Sequence, residues 1–444
     1  MKIHTVGGFG EVGKNMTVVE LEEDAFIFDC GFFLPPIVEL EDNEKVYTER
    51  RLKGIGAVPN DDILPEKIRR KVRAIIPSHA HLDHIGAIPF LGPKYKAEVL
   101  GTPFTMEVLK NEYKDEDIPI QNKLKTITPN SSYMIQGARR KYQLDFINMT
   151  HSTIQTSMLA LHTPEGVFLY SNDFKFDNTP MLGLKPNYDM LKAIGKKGVK
   201  AMVVDSLYSG NDRKTASEKV ARSLLEDVML TTTNDKAGMC VTTFSSHIAR
   251  LKSITEFGKK LGREVIFVGR SLNKYVTAAK NVNMCPFAKD IQIASYRKQV
   301  EKVLQKINRN RERYLLVCTG HQGEPHSVLD RISRNQLPFR FNPDDHVIFS
   351  SSIIPTEISI QNRAQLDKKL RKRGVRLFSN VHVSGHAGRE DLRDFVNMVN
   401  PEHVIPAHGD HIKCQPMVEL CKEMGYIAGK NVHLMNDGGK LDLK

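Results

Sequence analysis

His79-Ala80-His81-Leu82-Asp83-His84 places three imidazoles and a carboxylate within six residues, directly after the apolar run VRAIIPS of residues 72–78. Donors crowded like this at the end of a buried strand are costly unless a cation binds among them, and neutral imidazole with carboxylate suits zinc. A lone catalytic zinc needs only about three protein ligands, so the cluster is large enough to begin two sites. Further donors stand at other strand ends: His151 in NMTHST, Asp173 in YSNDFK and His408 in PAHGD. Each alone fits a hydrogen-bonded structural residue. Together with the cluster they complete a ligand set, and the chemistry of such a set is hydrolysis by a metal-activated water.

A glycine-rich loop near the start invites a different reading. Gly8-Phe9-Gly10-Glu11-Val12-Gly13-Lys14-Asn15 fits G-x-G-x-x-G and nearly fits G-x-x-x-x-G-K-[ST]. Asn15 stands where the second motif needs a hydroxyl for magnesium. Both phosphate motifs also require a helix immediately afterwards, whereas the chain continues as the alternating MTVVELEE, a strand. A tight loop whose glycines let the backbone pass close to the active site is the better reading.

The elements that must hold these residues follow in order. KIHTVGG, MTVVELEE and AFIFDCG read as short antiparallel strands, and VRAIIPS reads as a buried one. The polar segment Glu39–Asp62 is an excursion, DHIGAIPFL begins a helix, and AEVLGT, YQLDFINM, SMLALHTP, GVFLYSND and VKAMVVDS are further strands. Beyond these, TASEKVARSLLEDVML, GMCVTTF, HIARLKSITEFGKKLG and EVIFVG alternate helix with apolar strand, the rhythm of a parallel sheet covered by helices. YLLVCTG and HVIFSSS continue it, and after a basic helix ending RKRGVRLF the chain returns to strands and loops at HVSGHAG and HVIPAHGD. These shifts predict a discontinuous first domain, 1–205 plus 365–444, with an α/β domain inserted at 206–364.

A chain of 444 residues exceeds what one core usually holds, and 40% hydrophobic with 26% charged residues is the balance of a soluble globular protein. No apolar run approaches the roughly 18 residues of a spanning helix, and MKIHTVGGFGEVG lacks a signal-peptide pattern, so a cytoplasmic protein is expected. Six cysteines without a C-x-x-C pair suggest neither a disulfide framework nor a zinc knuckle. Lys and Arg number 64 against 52 Asp and Glu, a net charge of +12 that favours a polyanionic partner, nucleic acid first. The basic runs Lys67–Arg73, Arg309–Arg313 and Lys368–Arg376 are candidates to line an RNA channel.

H-x-H-x-D-H followed by a later His, a later Asp and a final His resembles the metallo-β-lactamase superfamily. The finer pattern resembles its β-CASP nucleases, and among them the ribonuclease J family. GGFGEVGKNM, SHAHLDHIGAIP, TGHQGEP at 319–325, FSSSIIPTE at 349–357, HVSGHAG at 382–388 and PAHGD at 406–410 stand in that family's order, and the likeness spans nearly the whole chain. The length is most similar to the short archaeal form. The resemblance implies an α/β fold, a metallo-β-lactamase αββα sandwich with an inserted parallel-sheet β-CASP domain.

It further implies two Zn2+ per chain, for which Mn2+ or Mg2+ could substitute. His79, His81 and His151 would hold one, Asp83, His84 and His408 the other, and Asp173 would bridge, with Asp29 propping the histidine loop. Asp205, His386 and Asp83 are the implied catalytic residues, and His386 oriented by Asp205 is a credible general acid. In the run His382-Val383-Ser384-Gly385-His386, glycine permits close approach of backbone amides to a phosphate; the family contacts its nucleotide there. Ser245, Ser246 and His247, at a strand-to-helix junction, fit a terminal phosphate at a helix N-terminus and equally an N-cap. His321 departs from the serine more usual in TGHQGEP. The activity implied is a 5′-to-3′ exoribonuclease on single-stranded RNA, in rRNA processing and RNA decay, without a membrane partner. A homodimer and association with other RNA-decay proteins are both compatible with it. A β-CASP endoribonuclease is the nearest rival, a small-molecule hydrolase a more distant one, and an RNA-binding scaffold with an inactive site is opposed by the complete ligand set.

Overall fold

The computed structural model describes residues 1–38, 47–233, 236–354 and 356–443, so part of the expected excursion at 39–62 and Pro355 of FSSSIIPTE lie outside the described residues. The strands are β1 (Lys2–Gly7), β2 (Met16–Glu20), β3 (Ala25–Phe28), β4 (Val72–Ile76), β5 (Glu98–Gly101), β6 (Leu124–Thr126), β7 (Ser131–Gln136), β8 (Lys141–Asn148), β9 (Ser157–Thr163), β10 (Gly166–Ser171) and β11 (Val199–Asp205). There follow β12 (Met239–Thr242), β13 (Glu264–Val268), β14 (Ile291–Ala294), β15 (Tyr314–Cys318), β16 (His346–Phe349), β17 (Arg376–Phe378), β18 (His403–Ala407) and β19 (Gly439–Asp442). The chain divides into two compact units, the first comprising 1–178, 184–215 and 385–444, the second 179–183 and 216–384.

The first unit is an αββα sandwich of two sheets, ordered β19-β1-β2-β3-β4-β5-β6 and β18-β11-β10-β9-β8-β7. Strands buried on both faces read as continuous apolar runs rather than alternating ones, and β2 and β3 are buried at every position. One core lies between the sheets, where Phe26, Phe28 and Ile76 of the first meet Phe146, Phe168, Tyr170 and Val203 of the second. The Phe28 ring sits 4.9 Å from Phe168 and 5.4 Å from Tyr170, centroid to centroid, a tilted aromatic cluster that sets how the two sheets face each other. A second core lies on the far side of β9, β10, β11 and β18, where helices Tyr188–Lys197, Arg389–Val399 and His411–Glu423 bury Leu191, Leu392, Phe395 and Met417.

The second unit is a six-stranded, all-parallel sheet ordered β14-β13-β15-β12-β16-β17. It extends past the expected 206–364. Helix Glu357–Arg371 puts Leu366 and Leu370 into its core, and β17 pairs with β16, Arg376 opposite His346. The segment RKRGVRLF is therefore not the end of a helix. The helix stops at Arg371, Gly374 takes φ 73° to turn the chain, and Arg376–Phe378 becomes an edge strand. DHIGAIPFL likewise forms two short turns, Leu82–Ile85 and Ile88–Leu91, rather than one helix. All six cysteines are free and buried. No described helix is long and apolar enough to cross a membrane.

Backbone hydrogen bonds lock the histidine turn against the loop that follows β3. Cys30 N donates to His84 O at 2.8 Å, Phe32 N to Leu82 O at 2.8 Å and Ala87 N to Cys30 O at 3.0 Å. The two backbones run so close that a Cβ on Gly31 would fall 1.7 Å from Asp83 O and 2.4 Å from His84 N. Gly31→Ala is therefore expected to destabilise the protein by about 1–3 kcal/mol and to reduce retained zinc. Gly54→Ala, where a Cβ meets nothing within 4 Å, should do neither. Thermal melts and metal content after dialysis check both.

Candidate metal centre

Every donor of the site leaves a strand end of the first unit. Asp29 follows β3, His79 to His84 follow β4, His151 follows β8, Asp173 follows β10, Asp205 ends β11 and His408 follows β18. Asp29, Asp173 and His408 hold φ of 58°, 54° and 63°. L residues rarely adopt this left-handed conformation, and its cost tends to be tolerated where geometry serves function. Here it turns the chain off the strand within one residue.

Each of the five imidazoles spends one nitrogen outward and aims the other inward. His79 Nδ1 lies 3.0 Å from Ser78 Oγ, which in turn donates to Asp29 Oδ2 at 3.0 Å. Asp29 Oδ2 accepts from His84 Nδ1 at 2.7 Å, and Oδ1 accepts from Ser78 N at 2.7 Å. His151 Nδ1 donates to Gly385 O at 2.7 Å, a contact so close that a Cβ on Gly385 would sit 2.9 Å from that nitrogen. His408 Nδ1 donates to Asn15 Oδ1 at 3.1 Å, and His81 Nε2 lies 3.4 Å from Ser152 Oγ. The partner of one ring nitrogen fixes which lone pair remains for a metal.

The inward atoms converge. His81 Nδ1 lies 3.0 Å from His79 Nε2 and 3.2 Å from His151 Nε2. Asp173 Oδ2 lies 3.6 Å from His79 Nε2, 3.6 Å from His151 Nε2 and 3.3 Å from His84 Nε2. Asp83 Oδ2 is 3.3 Å from His84 Nε2 and 4.0 Å from His408 Nε2. Two groups result, His79–His81–His151–Asp173 and Asp83–His84–Asp173–His408, with donor atoms in each within 4.8 Å of one another and Asp173 common to both.

The electrostatics fit a cation. Burial holds His79 and His151 well below the ordinary imidazole pKa, and it takes His81 to about 4, so these rings are neutral and able to ligate. Burial also disfavours charge on His84, but Asp173, Asp83 and Asp29 outweigh it and hold its pKa well above the usual value. The half-buried Asp83 and the buried Asp173 thus call for positive charge beside them. Asp173 Oδ1, buried, accepts no hydrogen bond among the described residues. Lone pairs facing lone pairs and an orphaned carboxylate oxygen together are what zinc would satisfy.

His386 and Asp205 flank this set. His386 Nδ1 lies 2.7 Å from Asp205 Oδ2, and its ring centre lies 5.0 Å from that of His151 and 5.5 Å from that of His408. Burial opposes charge on His386, but Asp205 and then Asp173 raise its pKa to about 9. The run 382–386 divides: His382, Val383 and Ser384 belong to the second unit, Gly385 and His386 to the first. Ser245, Ser246 and His247 lie together at the junction of β12 and helix Ile248–Lys260 in the second unit. His247 is the N-cap residue but makes no side-chain cap hydrogen bond, and Ser245 Oγ instead pairs with Ser271 Oγ at 2.9 Å. His321 is buried edge-on to Phe244, ring centres 4.2 Å apart.

Sequence reasoning missed three supporting residues. Asn15, read only as the residue that spoils a phosphate motif, donates from Nδ2 to Asp83 O at 3.0 Å and accepts at Oδ1 from Asn172 Nδ2 at 3.2 Å. With its bond to His408 it joins the glycine loop to both sides of the site, and His408 N donates to Gly8 O at 2.7 Å. Ser78 and Asn172 each directly precede a ligand, which was the one signal available for them.

Residues 9–227 match the metallo-beta-lactamase superfamily, residues 236–365 the ribonuclease J beta-CASP domain, and residues 374–435 the Zn-dependent metallo-hydrolase RNA specificity domain. The chain is 39% identical over 442 residues to ribonuclease J of Methanocaldococcus jannaschii, covering 99% of this chain and 98% of that protein. It is 40% identical over 446 residues to ribonuclease J of Pyrococcus abyssi, covering 100% and 97%. Ribonuclease J of Helicobacter pylori is 28% identical, with 100% of this chain matching 61% of that longer protein. A crystal structure of a protein of unknown function from Enterococcus faecalis shares the fold at a TM-score of 0.65 and 15% identity, over 99% of both chains.

Asp29 holds two candidate ligands, His84 directly and His79 through Ser78, and belongs to neither group itself. Asp29→Asn tolerates the positive φ but puts an amide where Ser78 and His84 need an acceptor. Zinc affinity is expected to fall about 10–100-fold, measured by competition with a chromogenic chelator.

Proposed function

Because this chain belongs to the ribonuclease J family of metal-dependent hydrolases, we propose that it is a two-zinc ribonuclease that removes nucleotides from the 5′ end of single-stranded RNA, in RNA processing and decay. The observation that carries this reading is the convergence of five imidazole nitrogens with Asp83 and Asp173, in two groups that share Asp173. Zinc held there supplies an activated water at neutral pH and offsets charge on the phosphodiester. The residues of the chain do the rest. Ser78, Asp29, Asn15 and Gly385 O keep the rings oriented. His386, held at Nδ1 by Asp205, carries its proton on Nε2 and delivers it to the leaving ribose oxygen.

The RNA specificity match at 374–435 covers His382 to His386 and His408, which supports RNA as the polyanion that the net charge of +12 favours. The amides of 382–386 contact the nucleotide. Ser245, Ser246 and His247 receive the terminal phosphate at the first turn of helix Ile248–Lys260. Recognition of that phosphate makes the chain end, rather than an internal position, the substrate. The segment through β11 with the C-terminal part acts as the hydrolase domain, and the inserted unit as the domain that selects the end.

Single-stranded RNA labelled at either end tests the direction. A 5′ label should appear first as mononucleotide, while a 3′ label should pass through a ladder of shortening products. Internal fragments from both labels would mean endonucleolytic cleavage instead. His386→Ala is expected to lower kcat about 10²–10⁴-fold with bound zinc unchanged at two equivalents.

A further inference from the structure

Helix Ile248–Lys260 of the second unit carries an arginine with no exposed surface. Arg250 is 0% exposed and Glu218, which faces it, is 4% exposed. Nε of Arg250 donates to Glu218 Oε1 at 2.5 Å and Nη2 to Oε2 at 2.8 Å, a bidentate pair. Glu218 Oε2 also lies 3.4 Å from His247 Nε2. The remaining nitrogen, Nη1, donates to Ser350 O at 2.9 Å and to Ser350 Oγ at 2.8 Å. It also reaches Val381 O at 3.4 Å and His382 Nδ1 at 3.3 Å. Ser350 Oγ passes its own proton to Val381 O at 2.8 Å.

A buried ion pair is a weak means of stabilising a core, since apolar residues of similar volume often serve as well or better. What apolar residues would not do is define the turn at Val381–His382. A guanidinium has donors and no acceptor; the two hydrogens of Nη1 are shared among Ser350, Val381 O and His382 Nδ1, and a donor facing Nδ1 at 3.3 Å favours an unprotonated Nδ1, with the single proton of a neutral ring on Nε2. We propose that Glu218 and Arg250 are the positioning pair of the RNA-contacting turn, holding His382 as the neutral Nε2–H tautomer so that it donates a hydrogen bond to a phosphate or ribose oxygen of the substrate. The inference rests on the reading that the run His382–His386 meets RNA. Arg250 and Glu218 themselves touch no substrate; they act through His382 and through the backbone at Val381. The same carboxylate beside His247 ties the terminal-phosphate junction to this turn.

Selective 15N-histidine labelling of the full, zinc-loaded chain reads the tautomer directly, with the His382 signals assigned by their loss in His382→Gln. The expected result is an unprotonated Nδ1 and a protonated Nε2 at neutral pH. A protonated Nδ1 overturns the proposal. The double variant Glu218→Leu/Arg250→Met replaces the pair by apolar groups and is expected to keep its zinc. In it His382 should become a mixture of tautomers, and KM for RNA should rise about ten-fold, the loss of one hydrogen bond to a charged group, with kcat little changed. A retained Nε2–H tautomer with unchanged KM overturns the proposal. Should the double variant not fold, two single variants decide. Glutamine places its amide N–H near the position of Nε2 and asparagine near that of Nδ1, so His382→Gln should weaken RNA binding less than His382→Asn; equal or reversed losses count against the proposal. If neither substitution alters KM or kcat, the reading that this turn meets RNA fails. If both weaken binding while the double variant behaves as wild type, the positioning pair alone fails.

Discussion

Imidazole lone pairs and carboxylates do not collect in a buried space on their own account. With no metal among them, the half-buried Asp83 and the buried Asp173 would have chiefly the His84 imidazolium to offset their charge, and the converging nitrogens of His79, His81 and His151 would face one another with nothing to share. Positive charge between them is the constraint from which the rest of the first unit follows. It explains why Asp29, Ser78, Asn15 and the carbonyl of Gly385 take up the outward nitrogens: a ring free to rotate would satisfy itself by turning away from the cation.

The fold meets this constraint with strand ends. A sandwich of two sheets brings β3 and β4 on one side and β8, β10, β11 and β18 on the other to a common edge, and the aromatic cluster of Phe28, Phe168 and Tyr170 fixes the sheets relative to each other just beneath it. Three ligand or support residues then leave their strands in the left-handed conformation. The strain is held by the surrounding hydrogen bonds and by glycines at points of close approach, Gly31 against the backbone of Asp83 and Gly385 against the ring of His151. Among the strands that carry the site, β3, β4, β10 and β11 are buried almost throughout.

What the sequence made legible follows the same physics. H-x-H-x-D-H and the isolated His151, Asp173 and His408 could be assembled because metal ligands are a rare combination with few other uses. Strands such as VRAIIPS and VKAMVVDS could be read because burial on both faces leaves nearly continuous apolar runs, and MTVVELEE because it alternates. Asn15 could not, since an amide supporting two ligands from a distant loop looks like any polar loop residue. The inserted unit was read too short because Gly374 separates a basic helix from a three-residue strand whose composition, RLF, carries almost no periodic signal. Helices Arg270–Asn281 and Arg297–Arg309 went unread although their apolar residues, such as Val300, Val303, Leu304 and Ile307, stand at helical spacing.

The basic runs illustrate how little a charge count says about where an anion binds. In Lys67–Arg73, Arg70 pairs with Glu66, Lys71 with Glu20 and Arg73 with Asp24. In Arg309–Arg313, Arg311 pairs with Asp345 and Arg313 with Glu264. In the third run Lys369 pairs with Asp330, while Arg373 donates to Ser333 O. These side chains already have carboxylate or carbonyl partners, buried in the case of Asp24, Asp330 and Asp345 and exposed in the case of Glu66 and Glu264. The groups disposed toward a phosphate on the proposed reading are of another kind: backbone amides of the run 382–386, the hydroxyls and first-turn amides at Ser245 to His247, and imidazoles whose protons are placed by buried carboxylates. On the two proposals, Glu218 acting through Arg250 on His382 and Asp205 acting directly on His386 are two versions of one device, in which a carboxylate kept from solvent decides which nitrogen of a half-buried ring carries the proton. Neutral and singly charged donors of fixed direction discriminate between oxygen positions where a flexible lysine would not. On the same proposed reading, net charge draws RNA near and the oriented donors select the bond presented for hydrolysis.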